Sequence, residues 1–73
     1  SVDNEGLAVK LDKAIGKISN EFVYAYPPDI PIIVPNEIIT KETIVYLKKL
    51  IKHGVNVVSD SGLLPNKLLT KQE

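Results

Sequence analysis

The side chains able to do chemistry are few and scattered. The single histidine, His53, is followed by Gly54. It has no HxxxH or HxxE spacing around it, so the pattern predicts a helix-terminal cap rather than a metal ligand or proton carrier. Ser19, Ser59 and Ser61 lack the G-x-S-x-G context that exposes a nucleophile. Glu21, Asp29 and Glu37 would have to meet in pairs for carboxylate acid–base work, and nothing in their spacing brings two of them together. No glycine-rich loop cradles a phosphate. The chain has no cysteine, hence no disulfide and no thiolate metal site, and secretion is unsupported. Catalysis by this chain alone is not what its residue types predict.

The elements that position these groups must fit into 73 residues, which is at most one domain. By the per-residue rule its stability is about 4–11 kcal/mol. Lys plus Arg and Asp plus Glu number nine each. No basic stripe argues for nucleic acid, no apolar run approaches a membrane span, and no signal peptide is expected. The chain does not begin with methionine and reads as a piece of something larger, with 1–6 and 70–73 loose.

Leu7, Leu11, Ala14, Ile15, Ile18 and Phe22 recur at helical spacing, which predicts a first helix over Val9–Ile18, with Gly16 at its end or at a close helix contact. Ser19-Asn20 breaks the pattern. Phe22, Tyr24 and Tyr26 then alternate with Glu21, Val23 and Ala25, the period of a strand with an aromatic core or interface face. Thr40 predicts a helix N-cap and Glu42 sits in the first turn. Ile44, Leu47 and Ile51, with Val45 and Leu50 alongside, give one apolar face. His53-Gly54 predicts the stop, so a second helix runs Lys41–His53, about 20 Å long. Lys48, Lys49 and Lys52 read as a solvated face matched to the helix dipole. Val55–Val58 predicts a strand, Ser59–Gly62 a turn, and Leu63-Leu64-Pro65 with Lys67-Leu68-Leu69 a last short strand or a frayed tail.

Between these elements lies Tyr26-Pro27-Pro28-Asp29-Ile30-Pro31-Ile32-Ile33-Val34-Pro35-Asn36-Glu37, with four of the five prolines. Each proline fixes φ and removes a donor, so Tyr26–Pro31 is expected to be stiff and extended. Ile32-Ile33-Val34 predicts a short buried strand, closed by a turn at Pro35-Asn36. The expected architecture is α+β: a small single domain, two main helices packed on short strands around a proline-rich extended segment. Tyr26–Val34 is expected to cross it and pack on the Lys41–His53 helix through Ile44, Leu47 and Ile51.

The same stretch, read from Ala25 to Thr40 as A-Y-P-P-D-I-P-I-I-V-P-N-E-I-I-T, resembles the signature of the C-terminal domain of the Orn/Lys/Arg decarboxylases. That family pattern is roughly Y-P-P-G-I-P-hydrophobic-hydrophobic-x-P-G-E-x-I-T. Tyr26, Pro27, Pro28, Ile30, Pro31, Pro35, Glu37, Ile39 and Thr40 match it. Upstream, Ala14, Gly16, Lys17, Ile18 and Glu21 resemble the A-x-G-(R/K)-I-x-x-E that precedes it. Asp29 and Asn36 stand where the family has glycine; both tolerate left-handed geometry, so positive φ is expected at each.

The resemblance covers about residues 9–58. It implies a parent enzyme, cytoplasmic and bacterial, that uses pyridoxal phosphate as an electron sink to remove the α-carboxylate of lysine, ornithine or arginine as CO2, giving a polyamine-type product. The reactive lysine follows a histidine in a large separate domain of that family, and no His-Lys pair occurs here. The chain is therefore expected to bind no cofactor and to provide packing or subunit contacts. Its partners would be the large cofactor-binding domain of the same polypeptide and further copies in a homo-oligomer, not nucleic acid or membrane. Glu21, Tyr26, Pro27, Pro28, Asp29, Ile30, Pro31, Pro35, Asn36 and Glu37 are the expected motif and interface residues. A free-standing module offering Tyr26–Pro31 as a polyproline ligand is the alternative; a small-molecule regulatory domain is a weaker third. A buried Tyr26–Pro28 would favour the first reading, an exposed and mobile one the second.

Overall fold

Residues 6–72 are described by a computed structural model of the chain. The described residues open on a strand, β1 (Gly6–Lys10), not on a helix. Leu11–Ala14 follows as a four-residue 3-10 turn that drops Leu11 and Ala14 into the core. The expected helix over Val9–Ile18 is absent. Its apolar stripe does not face one way: Leu11 and Ala14 are buried, whereas Ile15, Ile18 and Phe22 are exposed. Long-range pairing overrides the local period. Gly16 N–H donates to the Ile39 carbonyl at 2.8 Å, Ile39 N–H to that of Lys17 at 2.8 Å, and Ser19 N–H to that of Glu37 at 2.9 Å. Those bonds need extended chain, and Gly16 turns into them at φ +88°. A Cβ there would meet nothing within 4 Å, so the glycine serves the dihedral and not a close contact.

Two sheets carry the rest. β5 (Lys67–Lys71) pairs antiparallel with β1, from Gly6 opposite Lys71 to Lys10 opposite Lys67. The expectation of a loose 70–73 is corrected on its described part: Thr70 is buried inside β5, and Lys71 N–H donates to the Ile18 carbonyl. Residues 1–5 and 73 lie outside the described residues. In the second sheet β2 (Val23–Ala25) is central, flanked by β3 (Ile30–Ile33) and β4 (Val57–Ser59), both antiparallel to it.

The α-helix α1 runs Lys41–Lys52, as its local signals predict. Thr40 Oγ1 accepts the Thr43 N–H at 3.1 Å, satisfying one of the orphan donors of the first turn. Gly54 at φ +81° ends the helix. Lys48 pairs with Asp12 at 2.6 Å, but both side chains are exposed, so the pair is worth about 0–1 kcal/mol.

The core is Leu11, Ala14, Val23, Ile33, Ile39, Ile44, Leu47 and Leu68, with Val9, Ile32, Ile51, Val57 and Leu64 packed around it. It draws on both sheets, the helix and the 3-10 turn. The domain is therefore a small α+β unit of two sheets and one α-helix, and the second main helix of the sequence reading is not found among the described residues.

The Pro35-Asn36 turn forms as expected, with Asn36 at φ +75°. Asn36→Gly should be neutral or mildly stabilising, and Asn36→Val should cost about 1–2 kcal/mol, because a β-branched residue resists left-handed geometry. Thermal melts of the two variants check this; a valine variant melting at the wild-type temperature would contradict it. Asp29 does not share the conformation: Asn36 is the one non-glycine residue with positive φ among those described.

Candidate functional site

The expected motif residues separate into three groups with different surroundings. Glu21 is interior, only 2% exposed. Its Oε1 accepts the Ser61 N–H at 2.8 Å and its Oε2 the Leu69 N–H at 2.7 Å. One carboxylate thus ties the turn after β4 to strand β5, in the other sheet, and the buried charge is compensated by backbone donors on both oxygens. Ser19 Oγ donates to the Glu21 carbonyl at 2.7 Å and holds the same corner. Sequence spacing had left Glu21 without a partner. The available signal was its phase: it points the same way as Val23, which is wholly buried, and a charge on an inward position demands partners.

Pro35, Asn36 and Glu37 form the second group, the turn after β3. Glu37 Oε1 accepts the Val34 N–H at 2.9 Å and closes that turn. Glu21 and Glu37 therefore spend carboxylate oxygens on backbone N–H groups, as a structural carboxylate does.

Tyr26, Pro27, Pro28 and Asp29 form the third group, a turn between β2 and β3, with Ile30 and Pro31 opening β3. All six are exposed, Tyr26 at 52% and Ile30 at 54%. The expectation that this segment is extended and crosses the interior is corrected. β2 and β3 are antiparallel neighbours, so the chain must reverse between them, and both peptide bonds into Pro27 and Pro28 are cis. Only Ile32 and Ile33 reach the core beside α1. The aromatic face of β2 is likewise the outer one: Phe22 and Tyr26 are exposed, while Glu21 and Val23 turn inward.

The proline turn forms one bank of an open groove of about 610 Å³, through Pro27, Pro28, Ile30 and Pro31; Tyr46 and Leu50 of α1 form part of the other bank. The charged residue in its lining is Glu42. This groove does not fit pyridoxal phosphate. A phosphate dianion needs cations or convergent N–H donors, whereas three of the lining residues are prolines without N–H and the charge present is a carboxylate. No described lysine is buried, and none lines the groove. His53 is exposed at the end of α1. No group of three or more metal-ligating side chains occurs among the described residues, and no described helix is long and apolar enough to cross a membrane.

The described residues form a small α+β unit whose outer face carries an apolar, proline-built turn. The comparisons place it. The family model "Orn/Lys/Arg decarboxylase, C-terminal domain" matches residues 1–57, and the chain belongs to that family. It is 49% identical over 49 residues to an arginine decarboxylase of Bacillus subtilis (strain 168), covering 67% of this chain and 10% of that protein. It is 39% identical over 54 residues to an arginine decarboxylase of Bacillus anthracis, covering 74% of this chain and 11% of that protein. The constitutive lysine decarboxylase of E. coli superposes with a TM-score of 0.71 at 20% identity, over 97% of this chain and 12% of that one; this establishes the shared fold. The chain spans about a tenth of the length of the curated relatives it matches.

Proposed function

We propose that this chain is the non-catalytic C-terminal domain of a pyridoxal-phosphate-dependent decarboxylase of lysine, arginine or ornithine, and that its 73 residues form one domain. Its job is to dock. The observation that carries this is the exposed turn: family-motif residues Tyr26, Pro27, Pro28, Asp29, Ile30 and Pro31 line the surface and not the core. Three exposed prolines and two large exposed apolar side chains are a poor way to face water and a good way to face another protein, since they present few backbone donors to desolvate and lose little entropy on docking. The surface that covers them is the large cofactor-binding domain of the parent polypeptide, in a cytoplasmic bacterial homo-oligomer. Pyridoxal phosphate, bound by that large domain, supplies the electron sink; this chain contributes no residue to the step.

The polyproline-ligand reading shares the exposure. It asks, however, for an extended left-handed run that lies in an aromatic groove. Here Tyr26–Asp29 is a reversal clamped between paired strands, with Tyr26 N–H donating to the Asn56 carbonyl at 2.9 Å. A clamped turn docks as a rigid knob, which favours the domain-interface reading.

Two outcomes follow. The isolated chain should give no stoichiometric cofactor absorbance with pyridoxal phosphate and release no CO2 from lysine, arginine or ornithine. Tyr26→Ala should leave the isolated chain's unfolding free energy within about 0.5 kcal/mol, as for other exposed sites, yet weaken assembly of the full-length parent. Unfolding in urea and sedimentation of the parent measure the two effects. A cofactor-loaded isolated chain, or a parent indifferent to Tyr26→Ala, would contradict the reading.

A further inference from the structure

We propose that a second cleft, on the outer face of the three-stranded sheet, is a recognition pocket for the guanidinium head of an arginine side chain carried by a docked protein. Phe22 and Tyr24 line it from β2 and its lead-in, Pro31 from β3, Asp29 from the proline turn and Asp60 from the end of β4. Asp60 Oδ2 accepts the Phe22 N–H at 3.0 Å, which fixes that carboxylate beside the ring and leaves its other oxygen for a ligand. Asp29 has no hydrogen-bond or ion partner among the described residues. The chain carries nine basic residues, none of which lines this cleft. Two aromatic walls and two carboxylates therefore converge without an internal cation.

That chemistry selects a planar cation. A guanidinium stacks on an aromatic face while its fork of N–H donors meets a carboxylate; an ammonium does the first less well and the second without the fork. Size decides the form in which it arrives. The cleft is about 230 Å³, below the roughly 300–1,000 Å³ of pockets that enclose a whole small molecule. It admits a head group. Exposed ion pairs and exposed ring contacts are individually weak. A free cation must offset its whole loss of translational freedom with them, whereas a side chain on a docked surface shares that loss with the rest of the contact. The inference rests on the docking reading, which already covers Asp29 and Pro31, and deepens it by stating which head group enters this cleft.

The test is a titration of the 73-residue chain, followed by NMR at the ring protons of Phe22 and Tyr24. The probes are the capped peptide acetyl-Gly-Arg-Gly-amide and N-ethylguanidinium chloride, with urea and sodium chloride as controls at matched ionic strength. Both cationic probes should give saturable shifts with half-saturation at about 10–100 mM. Asp29→Asn, at a side chain without a structural partner, should weaken them about twofold to fivefold. Shifts that follow ionic strength alone, that urea reproduces, or that Asp29→Asn leaves undiminished would overturn the proposal. So would a cleft that takes N-ethylguanidinium and excludes the peptide.

Discussion

Ile33→Ala is expected to lower the unfolding free energy by about 2–5 kcal/mol, against a total of about 4–11 kcal/mol for a domain of this length. Ile33 is wholly buried, sits opposite Val23 across β2 and β3, and belongs to the core that joins the second sheet to α1. Truncating it removes the transfer free energy of the lost carbons and leaves a cavity among Val23, Ile39, Ile44 and Leu47, which are themselves close to fully buried. The same strand supplies its own controls. Ile32 is half-buried and packs at the core's edge, so Ile32→Ala should cost about 1–2 kcal/mol. Ile30 is 54% exposed, so Ile30→Ala should stay within about 0.5 kcal/mol. Urea denaturation of the three variants should therefore give a graded series along β3. Equal losses at Ile30 and Ile33 would show that the strand does not meet the core in this register.

Glu21→Gln should destabilise by about 2–4 kcal/mol, although it changes one oxygen for one nitrogen. Both carboxylate oxygens accept a backbone N–H, from Ser61 and from Leu69. Glutamine keeps one acceptor and turns a donor towards the other N–H, and each charge-assisted bond lost is worth about 1.5–3 kcal/mol. For a domain of this size the loss corresponds to about 8–30 °C in Tm. The amides of Ser61 and Leu69 should also exchange faster with solvent in the variant, which a loss of packing elsewhere would not single out. A glutamine variant that melts within about 2 °C of wild type would show that the carboxylate does not hold the two sheets together.

The parts of this fold that could be read from the chain are those held by local chemistry. α1 announces itself through Thr40 as cap, Ile44 and Leu47 one turn apart, and Gly54 at the end, and the structure has all three in those roles. Asn36 could be read as left-handed because it stands where the resembled family has glycine and asparagine tolerates positive φ; the same reading at Asp29 fails. The first helix could not be read correctly. Leu7, Leu11, Ala14 and Ile18 match a helical period by coincidence, and the bonds from Gly16, Lys17 and Ser19 to the segment before α1 win over it. Such pairing is invisible to any window of the sequence. The partners of Glu21 escape a reading of the sequence for the same reason, since they lie 40 and 48 residues away. The proline stretch illustrates a third kind of miss. Its stiffness was legible, but stiffness is shared by an extended segment and a tight reversal, and the antiparallel pairing of β2 with β3 selects the reversal. The aromatic alternation of Phe22, Tyr24 and Tyr26 gave the strand but not which face turned inward; the buried Val23 and the satisfied Glu21 settle that.

The central claim is that the proline turn is a docking surface covered by the rest of the parent decarboxylase. Hydroxyl-radical footprinting of Tyr26, in the isolated chain and in the full-length parent, tests it most directly. Tyr26 is 52% exposed on this domain, so its ring should react readily in the isolated chain. In the parent it should be protected several-fold, while Val45, exposed on α1 and outside the groove's lining, keeps its reactivity if only the turn is covered. Equal reactivity of Tyr26 in both would contradict the account.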